Sequence, residues 1–385
     1  MNTTTDKRYE ELEAGDELVI TARVKSKHHQ DDQLVLTCES ISLSGATLLS
    51  GQFHVLQPEA IAQPLAVTLP HKVAQPNARN YDKILIEKAA KEGPLPTAVV
   101  HPVDSNSLLG AIESAQAELI TPILVGPEAK IRAVADKEGV DISGYTLVDT
   151  PHSHAAAETA VQLVHQGQAM ALMKGKLHTD EFMGPIVAKV DGLRTGRRMS
   201  HVLVVDIPSY HKPLFITDAA LNIYPKLSEK KDMVQNAIDL FRALCDNTPK
   251  VAIVSAVETV EEAIPTTLEA TALCKMADRG QIQGGLLDGP LAFDNAISKA
   301  AAEAKNIVSP VAGDADIIVC PDMEAANMLS KQLTYLFGIE APGIILGARV
   351  PIILTSRAAT AGGLSRQASC AMALLYSRYQ GAKMI

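Results

Sequence analysis

HVLVVDIPSYHKPLFIT, residues 201–217, carries two apolar runs, Val202 to Ile207 and Leu214 to Thr217, with only PSYHKP between them. So short a connection cannot hold the helical crossover that parallel neighbours require, so the spacing predicts an antiparallel pair. Outward from this stretch the pattern differs. Short apolar runs recur at Ala98 to Val100, Ile120 to Val125, Ala169 to Met173, Val251 to Ser255, Ile317 to Cys320, Ile344 to Leu346 and Ile352 to Leu354, mostly with helix-length segments between them. Strands alternating with helices predict parallel sheet covered on its faces, an α/β body over residues 81–385.

Upstream, residues 1–58 alternate apolar and polar side chains, as in Leu18, Ile20, Ala22 and Val24, which predicts about three antiparallel strands. The stretch QPEAIAQPLAVTLPHKVAQPNARN (57–80) holds four prolines and no sustained period, so residues 59–80 read as a linker. The 385 residues suffice for two or three domains, and 47% hydrophobic composition supplies a core for each. A formal charge of −9 argues against nucleic acid as a partner, since phosphate backbones are held by clustered Lys and Arg. No apolar run approaches a membrane span and the start MNTTTDKRYEE lacks a signal-peptide core, so a cytoplasmic location with no membrane partner is expected. The five cysteines, Cys38, Cys245, Cys274, Cys320 and Cys370, form no CxxC pair and are expected to be reduced and buried.

In open α/β sheets ligands sit outside the carboxyl ends of the strands. Those ends carry Asp104-Ser105-Asn106, Lys174-Gly175-Lys176, Thr217-Asp218, Ser255-Ala256, Pro321-Asp322 and Thr355-Ser356-Arg357. Hydroxyls and a guanidinium ahead of a helix, as in Thr355-Ser356-Arg357, suit a phosphoryl or carboxylate group; equally, Ser356 caps the helix and Arg357 pairs with a surface acid. GLRTGRRMSH (192–201) gathers Arg194, Arg197 and Arg198 in an acidic chain. Such a run is ordinarily a solvated face, although its glycines would let several guanidinium groups approach one polyanion. His178 and His201 read as structural. No GxxxxGK[ST], HExxH, GxSxG or strand-to-helix GxGxxG occurs, which removes the usual warrants for ATP hydrolysis, zinc proteolysis and nicotinamide binding.

From about Tyr81 onward the chain resembles the phosphate acetyltransferase and phosphate butyryltransferase family. The resemblance rests on LMKGKLHTDEFM (172–183), GLRTGRRMSHVLVVDIPSYHKPLFITDAALNIYP (192–225), PKVAIVSAVETV (249–260), CKMADRGQIQGGLLDGPLAFDNAIS (274–298), SPVAGDADIIVCPDMEAANML (309–329) and LGARVPIILTSRA (346–358). It implies two doubly wound α/β domains with a cleft between them, as in isocitrate and isopropylmalate dehydrogenases. One would cover about 72–190 plus 348–385, the other about 191–347. The implied reaction is acyl-CoA + phosphate ⇌ acyl phosphate + CoA, run by a homodimer or higher homo-oligomer with coenzyme A as substrate and no metal or further cofactor. In related enzymes the pair at the position of Ser356-Arg357 serves the thiol, the carbonyl and the phosphate, so these two are the implied catalytic residues. Lys174, Thr179, Arg194, Arg198, Thr217, Asp218, Asp288 and Asp322 are the candidates for binding substrate. The acyl group is acetyl or butyryl; the blocks look closer to the butyryl branch and leave acetyl open.

One position departs from the family pattern. Where related sequences carry SRAD, with its Asp proposed as base for the thiol, this chain reads SRAATAGGLSRQAS from Ser356 to Ser369, with Ala359 in its place. Asp218, Asp288 and Asp322 are the alternative bases. The N-terminal YEELEAGDEL (9–18) and SGQFHVLQP (50–58) resemble the second half of a MaoC-like hydratase domain, too short here for hydratase activity. Two rival readings remain open at the level of sequence: a metal- and NAD-dependent dehydrogenase of the same architecture, and a non-catalytic protein that binds CoA or acyl phosphate.

Overall fold

A computed structural model describes residues 18–28, 33–42, 47–56, 80–354 and 364–383. The chain divides into two compact units, Met1–Ala78 and Arg79–Ile385. In the first, β1 (Leu18–His28), β2 (Gln33–Ser42) and β3 (Thr47–Leu56) form an antiparallel sheet in the order β1-β2-β3, the three strands anticipated from the alternation.

The second unit is a three-layer α/β fold. Its elements run α1 (Tyr81–Ala89), β4 (Leu95–Val100), α2 (Ser105–Gln116), β5 (Ile120–Gly126), α3 (Glu128–Glu138), β6 (Thr146–Asp149), α4 (Ser153–His165), β7 (Ala171–Lys174) and α5 (Thr179–Val187). They continue through β8 (Ser200–Val205), β9 (Leu214–Thr217), α6 (Leu227–Leu244), β10 (Lys250–Val254), α7 (Pro265–Asp278), β11 (Leu286–Leu291), α8 (Phe293–Ile297) and α9 (Lys299–Ala304). The last are β12 (Ile317–Val319), α10 (Met323–Phe337), β13 (Gly343–Leu346), β14 (Ile352–Ile353) and α11 (Leu364–Lys383). One 11-stranded sheet holds them together in the order β11-β10-β12-β9-β8-β13-β14-β7-β4-β5-β6.

This sheet is mixed, and the departure from the expected parallel arrangement is informative. β8 and β9 pair antiparallel, as the short connection between them requires, and β13 is antiparallel to both β8 and β14. Parallel pairing then spreads outward on each side. Three reversals in the middle make the set β14, β7, β4, β5, β6 run opposite to β9, β12, β10, β11. The carboxyl ends of the two sets therefore lie at opposite edges of one sheet.

Alternate residues of each strand feed different layers. Val99, Met173, Val204 and Ile344 point into one core that runs the length of the sheet under α1, α2, α3, α6, α7 and α11. On the other face the core is split in two. Ala98, Val100 and Leu172 pack with α4 and α5, while Leu203, Ile216 and Ile318 pack with α8, α9 and α10.

At the start of α1, Asp82 is half-buried beside Glu340 and Asp206, and the Tyr81 amide donates to Asp206 Oδ2 at 3.2 Å. Burial first, then the two neighbouring carboxylates, push the Asp82 carboxyl up to about 7. A raised pKa means the folded state prefers the protonated acid. The associated stability is full below the ordinary value of 3.8 and is lost as pH rises through about 7. Asp82→Asn should therefore gain on the order of 3–4 kcal/mol at pH 8 and almost nothing near pH 4. Thermal melts at the two pH values check this; equal gains at both would contradict it.

Candidate active site

The loops leaving β4 and β7 are fastened to each other. The Gly175 amide donates to the Val100 carbonyl at 2.9 Å, the Lys176 amide to the His101 carbonyl at 2.9 Å, and His101 Nδ1 lies 2.8 Å from the Lys176 carbonyl. Gly175 permits the approach: a Cβ there would stand 2.4 Å from the Val100 carbonyl oxygen and 2.7 Å from that of His101.

Two helices begin at this edge. Asp104 caps α2, accepting from the Ser107 amide at 2.8 Å, and His178 caps α5, where the Glu181 carboxylate reaches back to the His178 amide at 3.4 Å. Glu181 also accepts from Ser153 Oγ, and that bond holds its carboxyl below the usual range. From α11, Arg366 crosses over Gly110, where no Cβ would fit, and donates to the Asn106 carbonyl. It is buried, its Nε has no hydrogen-bond partner among the described residues, and burial pulls its pKa below the ordinary arginine value.

Together these residues line a cavity of about 350 Å³ bordered by Asp104, Asn106, Lys174, Lys176, His178 and Arg366. Lys174 is almost fully buried there. Three cations against two carboxylates, with the amino end of α2 opening beside them, make it a place for an anion. β14 runs parallel to β7 with Ile353 level with Met173, so the chain leaves β14 at the edge where Lys174 stands. Ser356 and Arg357 follow directly and lie outside the described residues.

The other candidates are distributed differently from a single strand-end cluster. Lys174 is at the cavity, and Thr179 is exposed in the first turn of α5. Thr217, Asp218 and Asp322 end strands of the opposite set, at the other edge of the sheet. Thr217 is fully buried and donates to the His201 carbonyl at 2.9 Å. Asp218 is buried and accepts from the amides of Ala220, Leu221 and Asn222 and from the Asn222 side chain. Asp322 caps α10 through the Ala325 amide at 2.8 Å. Asp288 sits on the edge strand β11 and accepts from the Gly289 amide at 2.9 Å. These bonds give Asp218 and Asp322 structural work.

The arginine run is largely consumed by α6. Arg197 pairs with Asp239 at 2.6 Å; Arg198 pairs with Glu229 at 3.1 Å and donates to Asn222 at 2.6 Å. Arg194 is exposed and forms a β-bridge with Ala348, with no ion pair among the described residues. A second cavity, of about 610 Å³, opens between Arg197, Lys231 and Arg242. His201 is buried with neither ring nitrogen bonded among the described residues, and burial lowers its pKa, which favours the neutral ring. Cys245, Cys274, Cys320 and Cys370 are free thiols; burial pushes Cys274 and Cys320 up to about 12 and Cys370 to about 11, so none is a ready nucleophile. Cys38 falls in the segment whose side chains are not described.

A family model described as "Phosphate acetyl/butaryl transferase" matches residues 153–371. The phosphate acetyltransferase of Rhizobium meliloti is 57% identical over 312 residues, covering 81% of this chain and 97% of that protein. The phosphate butyryltransferase of Clostridium beijerinckii is 40% identical over 282 residues, covering 73% and 93%. A crystal structure of a branched-chain phosphotransacylase from Enterococcus faecalis superimposes with a TM-score of 0.63 at 26% identity, covering 73% of this chain and 98% of that one.

Proposed function

The chain belongs to the phosphate acetyltransferase and butyryltransferase family, and on that footing we propose that it carries out reversible acyl transfer between coenzyme A and inorganic phosphate, with acetyl as the group moved. The preference for acetyl rests on the 57% identity to an acetyltransferase against 40% to a butyryltransferase, and it replaces the butyryl leaning of the sequence blocks.

The observation that carries the placement of the site is the cation-rich cavity at the ends of β4 and β7, beside the exit of β14. In the direction of thioester synthesis, the CoA thiolate attacks the carbonyl carbon of the acyl phosphate. The C–S bond forms, the carbonyl oxygen takes the charge, and the C–O bond to phosphate breaks as phosphate leaves. The family resemblance assigns Arg357 to the phosphate and the developing oxyanion and Ser356 to the thiol and carbonyl, and Lys174 at the cavity adds positive charge. Thr179, exposed in the first turn of α5, is assigned to the body of coenzyme A, whereas Arg198 is held by Glu229 and Asn222 and lies with Arg194 at the opposite end of the sheet. Asp218 and Asp322 are tied up as caps, and Asp288 is remote from the cavity on an edge strand, so none of the three replaces the Asp whose place Ala359 takes. A thiol of pKa about 8.5 supplies a few per cent thiolate at neutral pH, which sustains the reaction without a dedicated base.

The reaction so written uses no metal and no cofactor, coenzyme A being a substrate. The two-domain description, about 72–190 plus 348–385 and about 191–347, draws support from the split core on one face of the sheet. We further read the protein as a cytoplasmic homo-oligomer without membrane or nucleic-acid partners, and its N-terminal strands as a MaoC-like remnant without hydratase activity. No helix among the described residues is long and apolar enough to cross a membrane.

The test is thioester formation from acetyl, propionyl and butyryl phosphate with CoA in the presence of EDTA. Turnover highest with acetyl phosphate is expected. Turnover highest with butyryl phosphate would overturn the choice of acyl group, and CoA binding without thioester from any of the three would overturn the activity.

A further inference from the structure

Arg366 is a cation buried without a counter-ion. It is 7% exposed; its Nη1 donates to the Asn106 carbonyl, while its Nε finds no acceptor among the described residues. Asp104 and Glu113 are near enough to act on its charge, yet neither forms an ion pair with it among the described residues, and Asp104 is engaged as the cap of α2. A guanidinium keeps its proton at neutral pH, so it cannot shed its charge as a buried carboxyl does. Burying such a charge unpaired is costly.

Packing does not call for an arginine at this place. α11 already meets α2 through Cys370, whose Sγ donates to Ser114 Oγ at 3.4 Å. Arg366 instead requires glycine inside α2, because a Cβ at Gly110 would fall on its Cδ, Cζ and Nη1. Glycine there weakens the helix relative to alanine. An apolar side chain in place of Arg366 would join the two helices without either cost.

What the position offers is the cavity, which Arg366 borders together with Lys174 and Lys176. The bond to Asn106 occupies Nη1 and leaves the edge formed by Nε and Nη2, a pair of donors that fits two oxygens of one anion. α2, 12 residues long, begins at the same cavity and turns the positive end of its dipole toward it. At about 350 Å³ the space stands at the lower end of the roughly 300–1,000 Å³ of small-molecule sites, so it suits a small anion with a short acyl group rather than a whole coenzyme.

We propose that Arg366 is a phosphate-binding residue, which reaches from α11 to clamp inorganic phosphate and the phosphoryl group of the acyl phosphate, with Asn106 holding it in place and Gly110 leaving it room. The identity of the anion rests on the acyl-transfer reading above. A clamp made to phosphate before, during and after the reaction sets affinity more than turnover, which separates Arg366 from the role proposed for Arg357.

Calorimetric titration of the full-length protein with inorganic phosphate, alongside initial rates at varied phosphate and acetyl-CoA, tests the assignment. Arg366→Ala should raise the Kd and KM for phosphate about ten- to a hundredfold, with kcat and the KM for acetyl-CoA changed by less than about threefold. Arg366→Lys keeps the charge and the stem should the alanine variant fail to fold, and it should weaken phosphate binding by a smaller factor because the fork is lost. Wild-type phosphate affinity in either variant would overturn the proposal. So would an equal loss of acetyl-CoA affinity, which would mark Arg366 as a strut between α2 and α11. Phosphate binding that depends on Arg366 in a protein that forms no thioester would overturn the proposed reaction and leave this assignment standing.

Discussion

Arg357→Ala is expected to lower turnover by roughly 10²–10³-fold, the cost of losing one donor aimed at charge that develops in the transition state. The same variant should need much higher phosphate to saturate, since the proposed role of the guanidinium is to clamp two oxygens of the tetrahedral anion. Its melting temperature should stay at the wild-type value. Arg357→Lys keeps the charge but not the fork, and should recover phosphate binding more than turnover. Initial rates at varied phosphate and acetyl-CoA separate the two effects. Wild-type kinetics in Arg357→Ala would remove this residue from the proposed mechanism.

Gly175→Ala should be strongly damaging for a single added methyl group. The added carbon would meet three backbone atoms of Val100 and His101 within 2.8 Å, and backbone cannot turn aside as a side chain can. The ends of β4 and β7 would have to separate, breaking the bonds from Gly175 and Lys176 that fasten the two loops. Overpacking of this kind costs about 1–3 kcal/mol or more, and it shifts Lys174 relative to Asn106 across the cavity. Activity should fall further than stability does, because a displacement of about 1 Å at a reacting site is worth about 10²-fold in rate. Denaturant unfolding alongside steady-state kinetics checks both. A variant of wild-type stability and rate would show that the loops do not depend on this contact.

The strands legible in the sequence were the buried ones. Runs such as Val202 to Ile207 and Ile317 to Cys320 are apolar because both faces of a central strand are covered. β6, with TLVD, and β11, with LLDGPL, escaped notice because they are the two edges of the sheet. An edge strand tolerates polar residues and proline, and Asp288-Gly289-Pro290 reads as a turn until its neighbour β10 is known. Strand direction was legible at the PSYHKP connection and, from the alternation of strands with helices, in the parallel flanks of the sheet. Its wider consequence, that the sheet reverses across β8, β13 and β14, was not, and so Thr217, Asp218 and Asp322 were grouped with Lys174 although the sheet lies between them.

The anion site was legible in part for a related reason. Lys174 and Asp104-Ser105-Asn106 could be found because they follow strands within a few residues. Arg366 could not, because its contact with Asn106 spans 260 positions and depends on α11 returning across α2. Gly110 is the local signal for that contact: a glycine inside the helix α2, where it costs stability relative to alanine, marks a place where something must come close.

The central claim is that acyl transfer takes place in the cavity between Lys174, Asn106 and Arg366. A crystal structure of the protein with phosphate bound tests it most directly. The anion is expected in that cavity, within hydrogen-bonding distance of Lys174 and contacted by Arg357. Phosphate held instead between Arg197, Lys231 and Arg242, with the cavity beside Lys174 left to solvent, would contradict the account.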